Sequence, residues 1–177
     1  MIDMILKMDE QILLFIQNTI RHDMLTPVMK VITHLGDKGF IWIVLGILLL
    51  FWKQTRRTGC LTLISLMGSF LINNLLLKNL VARIRPYENI TELELLVERA
   101  HDLSFPSGHS AASFAAAVVM YQLLPRKYGV PVLILAFLIA LSRIYVGIHY
   151  PTDILGGMLS GTLIALLTVK LGRCKET

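Results

Sequence analysis

The sequence predicts an all-α fold: a polytopic membrane helix bundle of five transmembrane helices, preceded by an amphipathic N-terminal segment. Three observations point there. Of 177 residues, 55% are apolar and only 16% charged, against about 25% charge in soluble domains, and the mean hydropathy is +0.66. Five runs without charge have or approach the length of a bilayer crossing, roughly 20 residues. The basic residues gather in alternate connections between those runs. The length suits one domain, 1–177, divided into an N-terminal segment 1–34 and a helix bundle 35–172.

The N-terminal segment repeats Ile5, Met8, Ile12, Ile16 and Ile20 at helical spacing, with Lys7, Asp9, Glu10 and Gln17 between them. That pattern predicts an amphipathic helix lying in the membrane interface, with a sixth span as the alternative. It has neither the basic start nor the small-residue cleavage site of a signal peptide. The first span is Gly39–Trp52, extended backwards through Leu35, with Asp37 and Lys38 at the interface. The second is Gly59–Leu77. The third, Ser107–Leu124, follows a proline, which suits a helix start. The fourth, Gly129–Ser142, continues through Ile144 to Ile148, and the fifth is Ile154–Val169. In the fifth, Gly157 and Gly161 form a GxxxG that permits close helix contact.

Lys53, Arg56 and Arg57 follow the first span, Arg126 and Lys127 the third, and Lys170, Arg173 and Lys175 the fifth. With five crossings these lie on one side, which the positive-inside rule makes cytoplasmic. The net charge of +5 is therefore read as a membrane-orientation signal rather than a nucleic-acid footprint. The opposite connection, Lys78–Asp102, faces outward. Within it Thr91 and Glu94 read as a capping box, and Ile90, Leu93, Leu96, Val97 and Ala100 share a face, so a short helix is expected on the outer interface. Cys60 in an apolar run and Cys174 in the basic tail predict neither a disulfide framework nor a zinc site.

Three polar clusters collect at that outward side: Lys78, Arg83, Arg85 and Pro86; then Phe105-Pro106-Ser107-Gly108-His109-Ser110; then Ser142-Arg143, His149 and Asp153. Singly, each has an ordinary reading. Lys78 and Arg85 would be interfacial anchors, His109 a polar helix end, and His149 with Asp153 a polar pair. Asn73 and Asn74 read as interhelical hydrogen-bond partners, and His22, His34 and His101 as solvated or interfacial. Convergence of separate chain segments at one depth points to a site instead. Lys78, Arg85 and Arg143 match the oxygens of a phosphoryl group. Ser107 and Gly108 open a helix whose free N–H groups favour an anion. Two histidines flank this cradle, one able to attack phosphorus and the other to protonate the leaving oxygen. Asp153, four residues after His149, can hold one of its ring nitrogens, and Pro151 sets the first turn of the last helix.

Lys78 with six residues between it and Arg85-Pro86, then Pro106-Ser107-Gly108-His109, then Ser142-Arg143 with five residues between it and His149 and three more between that and Asp153, resembles the three-part signature of the type 2 phosphatidic acid phosphatase superfamily. Order and spacing are intact, and the resemblance covers about Thr33 to Gly172. It implies that His149 is the nucleophile forming a phosphohistidine, that Asp153 orients it, and that His109 is the general acid. It implies that Lys78, Arg85, Ser107, Gly108 and Arg143 bind the phosphoryl group, with no metal and no cofactor. Many membrane members have six spans; here an amphipathic segment stands in place of the first.

The expected activity is hydrolysis of a lipid phosphate or diphosphate at the extracytoplasmic face of the cell membrane. Undecaprenyl diphosphate going to undecaprenyl phosphate is the first reading, and phosphatidylglycerophosphate or phosphatidate the alternative. The site faces the side where a used carrier lipid is released, and the chain has no soluble domain to recognise a large head group. A lipid carrier, the non-enzymatic reading, needs polar residues throughout the membrane depth, whereas here they stop at one face. The partners expected are the lipid substrate and the bilayer, with no nucleic acid.

Overall fold

The computed structural model describes residues 2–173, in which every regular element is helical. Cys174 and Lys175 fall outside the described residues. The elements are α1 (Ile2–Phe15), prolonged by a wide π turn (Ile16–Ile20), then α2 (Leu25–Leu35), α3 (Phe40–Leu50) and α4 (Arg56–Ser69). A second π stretch (Phe70–Leu77) carries α4 into α5 (Lys78–Val81). α6 (Pro86–Asn89), α7 (Gly108–Leu123), α8 (Arg126–Tyr145) and α9 (Pro151–Arg173) complete the chain.

α7 is the axis of the bundle, packed against α4, α8 and α9. Its small residues explain how: Ala111, Ala115, Ala116 and Ala117 are all buried and let neighbours approach closely. Gly157 and Gly161 of α9 meet the α7 backbone. A Cβ on Gly157 would lie 2.6 Å from the carbonyl oxygen of Ser107, and one on Gly161 would collide with that of Ala111. The GxxxG is thus the α7–α9 seam. Polar groups tie the helices where hydrocarbon offers no alternative. Trp42 Nε1 of α3 donates to Ser113 Oγ (3.0 Å), Ser65 Oγ of α4 to the carbonyl of Ala115 (2.9 Å), and Ser160 Oγ of α9 to Asn73 Oδ1 (2.6 Å). Asn73 is therefore the interhelical partner its sequence position suggested.

The outer faces are apolar. Phe40, Ile64, Phe137, Leu159 and Leu163 are exposed, a belt that water would not tolerate and lipid does. By length and composition, three helical segments among the described residues can cross a membrane, or four if the bent pair α2–α3 counts as one. The protein is a membrane protein. The central α7, at 16 residues, is shorter than these.

Three sequence expectations are corrected. The first span does not run unbroken back through Leu35, because Lys38 (φ 53°) and Gly39 (φ 69°) take left-handed conformations and α2 and α3 meet at 45°. The N-terminal segment is helical over the expected stretch, as α1 with its π turn, and continues into α2; Asp9 and Leu13 of α1 are buried against the bundle. The fourth helix stops at Tyr145, and Gly147 (φ 80°) turns the chain before His149. No helix forms over 91–100. Ile90 and Leu93 join the core directly, while Leu96 and Val97 pack around the Tyr145–Ile148 turn. Glu94 caps nothing there; its backbone N–H donates to Gln17 Oε1 (2.8 Å).

Two ends of the bundle are distinct. Arg57 Nη2 donates to the carbonyl of Gly172 (3.3 Å), bringing the start of α4 to the end of α9. The opposite end holds the close of α5, the start of α7, the end of α8 and the start of α9, and with them the three polar clusters.

Candidate active site

A cavity of about 730 Å³ opens at this end. Lys78, Arg85, Arg143, Gly108, His109 and His149 line its polar wall, and Ile43, Leu63, Leu66, Met67 and Phe70 of the α3–α4 side its apolar wall. Six of the eight residues singled out in the sequence therefore face one space. The other two, Asp153 and Ser107, are wholly buried behind it.

Each cation is delivered by a different element. Lys78 follows the π stretch of α4, and wide turns of this kind re-aim side chains at functional positions. Arg85 sits in the extended stretch before Pro86, a conformation that a following proline enforces. Arg143 is in the last turn of α8. Lys78 Nζ and Arg85 Nη2 both engage the carboxylate of Asp102, the arginine at 2.5 Å. Arg85 Nε also donates to the Asp102 carbonyl (2.7 Å) and Nη1 to that of Ile148 (2.9 Å). Arg143 Nη1 donates to Thr33 Oγ1 (2.6 Å), while its buried Nε has no hydrogen-bond partner among the described residues. Burial pushes the Asp102 carboxyl up, but the hydrogen bond and charge of Lys78, with those of Arg85, outweigh it and hold the group at about 2.

His149 is buried just beyond the Gly147 turn. Arg85 Nη1 lies 3.4 Å from its Nε2. A guanidinium only donates, so the lone pair belongs on Nε2 and the hydrogen on Nδ1. Nδ1 faces Asp153 Oδ2 and Ser104 Oγ, both at 3.5 Å. Desolvation lowers the His149 pKa to about 3 despite its Asp153 contact, with Arg85 and Arg143 adding repulsion. Burial thus favours the neutral form of the ring.

The surroundings of Asp153 go beyond the sequence reading. Its Oδ2 accepts from Ser104 Oγ (2.5 Å) and from the N–H of Tyr150 (2.9 Å), and its Oδ1 from Arg83 Nη1 (2.7 Å). Arg83 Nη2 in turn reaches Asp9 Oδ2 (2.7 Å). His109, in the first turn of α7, contacts Asp37 through Nε2 (2.9 Å). The Ser107 hydroxyl is taken up by the helix start, receiving the Ser110 N–H (3.4 Å) and the Ser110 hydroxyl (3.1 Å).

Thr33, Asp9, Asp37, Asp102 and Ser104 were not singled out as site residues. The first two lie in the segment read as interfacial, where an acid among polar neighbours resembles a solvated face. Ser104 and Asp102 lie just before the Pro106–His109 block, and that closeness was the available signal.

Residues 58–174 match the family model described as PAP2 superfamily. The chain belongs to the PAP2 superfamily. The resemblance carried by the three motifs is borne out. An undecaprenyl-diphosphatase of Sulfolobus acidocaldarius is 33% identical over 76% of this chain, and the match spans 65% of that relative, just under two thirds of its length. The crystal structure of a transmembrane PAP2 type phosphatidylglycerolphosphate phosphatase from Bacillus subtilis superposes with a TM-score of 0.76 at 31% identity, over 94% of this chain and 85% of that one. LpxE of Aquifex aeolicus superposes with a TM-score of 0.81 at 27% identity, over 90% and 93%. Most of these relatives carry the names of lipid phosphatases, and one, of Bacillus licheniformis, is named a bacitracin transport permease protein.

Proposed function

We propose that this PAP2 membrane phosphatase hydrolyses a lipid diphosphate, undecaprenyl diphosphate to undecaprenyl phosphate, through a phosphohistidine. The observation that carries the reading is the two-sided cavity. Its cations and histidines suit a phosphoryl group, and its apolar α3–α4 wall suits a hydrocarbon tail. The archaeal relative's name supports the diphosphate, and the Bacillus structure supports phosphatidylglycerophosphate as the second reading.

In the mechanism, the terminal phosphoryl group displaces Asp102 and settles among Lys78, Arg85 and Arg143 at the N-terminus of α7. His149 Nε2 attacks phosphorus. The N–P bond forms as the P–O bond to the lipid phosphate breaks, and His109 gives the leaving oxygen its proton, which leaves the His109 ring neutral. Water then attacks the phosphohistidine with His109 as base, releasing phosphate and restoring Nε2. Asp153 holds Nδ1–H as the ring becomes cationic. Charge on the transferring group is balanced by the three side-chain cations, so the chemistry calls for neither metal nor cofactor. Ser107 contributes by capping α7 and holding Gly108 in place.

The whole of 1–177 acts as one domain with five crossings: α2–α3, α4–α5, α7, α8 and α9. At 1.5 Å per residue the 16-residue α7 is about 24 Å long, short of the ~30 Å hydrocarbon core, but its N-terminal flank, with Ser104, Pro106 and Ser107, is buried in protein. The basic ends face the cytoplasm and the site the outside. Phosphate release is to be measured from matched undecaprenyl diphosphate and phosphatidylglycerophosphate in one detergent. A higher kcat/KM for the diphosphate is expected. A clear preference for the glycerophospholipid would overturn the substrate and leave the chemistry intact.

A further inference from the structure

Arg83 stands between two carboxylates. One terminal nitrogen lies 2.7 Å from Asp153 Oδ1 and the other 2.7 Å from Asp9 Oδ2. Its guanidinium also covers the ring of Tyr150, 3.8 Å from the centroid, and donates to Thr152 Oγ1 (2.6 Å). Asp9 comes from α1, far away in sequence, and is 1% exposed. It accepts from the Thr152 N–H (3.0 Å) and from the Thr152 hydroxyl, at the first turn of α9 one residue before Asp153. Asp153 is 0% exposed and Arg83 is mostly covered.

Charge counting gives this triangle a meaning. Attack by Nε2 with Nδ1 still protonated leaves a positive ring on His149. Asp153 can stabilise that charge only to the extent that its own is not already neutralised. Paired with Arg83 alone, it would form a neutral unit with little field at the histidine. With Asp9 on the far side of the guanidinium, the three groups carry one net negative charge, matching the one positive charge that the reaction creates. The match is made where water does not screen it.

We propose that Asp9 is a positioning residue for phosphoryl transfer: by neutralising Arg83 it frees Asp153 to stabilise the phosphorylated His149 ring. The N-terminal helix is on this view part of the reaction's electrostatics and not only a membrane-surface element. The inference rests on His149 being the nucleophile.

The test compares wild type with Asp9→Asn, Asp9→Asn/Arg83→Gln and His149→Ala, purified in detergent, with farnesyl diphosphate as substrate and inorganic phosphate as inhibitor. Asp9→Asn keeps the side-chain shape and removes the charge. Its kcat should fall about tenfold, equivalent to ~1.4 kcal/mol of barrier, while KM and the phosphate inhibition constant stay within about twofold, because the cradle of Lys78, Arg85 and Arg143 is untouched. The double variant removes cation and counter-anion together, and its kcat should exceed that of Asp9→Asn. A kcat at the wild-type level in Asp9→Asn, a parallel worsening of KM and phosphate inhibition, or a double variant no faster than the single would overturn the proposal. Where the single variant does not fold, the double decides: turnover within about tenfold of wild type supports the charge argument, and loss to the His149→Ala level sinks it. Wild-type turnover in His149→Ala would instead remove the nucleophile reading beneath it.

Discussion

Asp102 places its carboxylate against the guanidinium of Arg85, with Oδ1 2.5 Å from Nη2, while its other oxygen takes the ammonium of Lys78. One carboxylate thus occupies two of the three cations proposed to hold the substrate's phosphoryl group. Its side chain is 54% exposed, so it can swing away into solvent when a stronger anion arrives.

That arrangement makes Asp102 an internal competitor. Replacing it by Asn frees both cations, and inorganic phosphate should inhibit the variant more tightly, by roughly two- to fivefold, the scale of a partly exposed ion pair. Competition assays on purified protein measure this. Weaker inhibition would mean that Asp102 instead holds the cations in place. Because the Asp102 carboxyl is held at about 2, below its unfolded value near 3.9, its contribution to stability is complete above that unfolded value. It disappears as pH falls through about 2, so the competition persists throughout the working range.

His149 has the opposite linkage. Its folded pKa is about 3, against roughly 6.5 unfolded. The unfolded state therefore binds the extra proton between those values, and His149 costs the native state stability as pH falls from about 6.5 towards 3. In thermal melts, wild type should lose more Tm than His149→Gln between pH 7 and pH 5. Activity should vanish in His149→Ala at every pH, vanadate should inhibit wild type, and a chelator should leave it active. A His149→Gln melt with the wild-type pH slope would show that the ring is not buried as a neutral group.

The topology has its own check. Single cysteines at Glu94 and Gln54, in a chain with Cys60 and Cys174 replaced, are to be treated with an impermeant thiol reagent in intact cells. Position 94, in the connection at the site end, should react, and position 54, among the basic residues after α3, should not. The reverse pattern would turn the protein over in the membrane.

How much of this was legible in the sequence depended on the kind of signal. The three motif blocks have fixed spacing, so Lys78, Arg85, Gly108, His109, Arg143 and His149 could be gathered before any fold was known, and they line one cavity. The Gly157–Gly161 pair signalled a close helix contact, and the structure makes α7 the partner. What escaped were acids whose partners are distant in sequence. Asp9 pairs with Arg83 and Thr152, and Asp37 with His109; on a helix repeat either acid looks like a solvated residue. The 91–100 stretch failed for a different reason. Its capping box is a local preference, and burying Ile90, Leu93, Leu96 and Val97 around the Tyr145–Ile148 turn outweighs one short helix.

His109 is the proposed acid, and Asp37 holds its Nε2 at 2.9 Å. General acid catalysis typically contributes about 10²- to 10⁴-fold, and the benefit grows as the leaving oxygen becomes more basic. His109→Ala should therefore lose most on an alkyl phosphate, less on a lipid diphosphate whose leaving group is itself a phosphate, and least on an aryl phosphate with an acidic phenol. Asp37→Asn should show the same order with smaller losses, because it loosens the ring without removing it. Measuring kcat/KM for the three substrate types in each variant gives the slope directly. Equal losses across the series would mean that His109 binds the phosphoryl group without transferring a proton. A slope in His109→Ala with none in Asp37→Asn would confine Asp37 to the bend between α2 and α3.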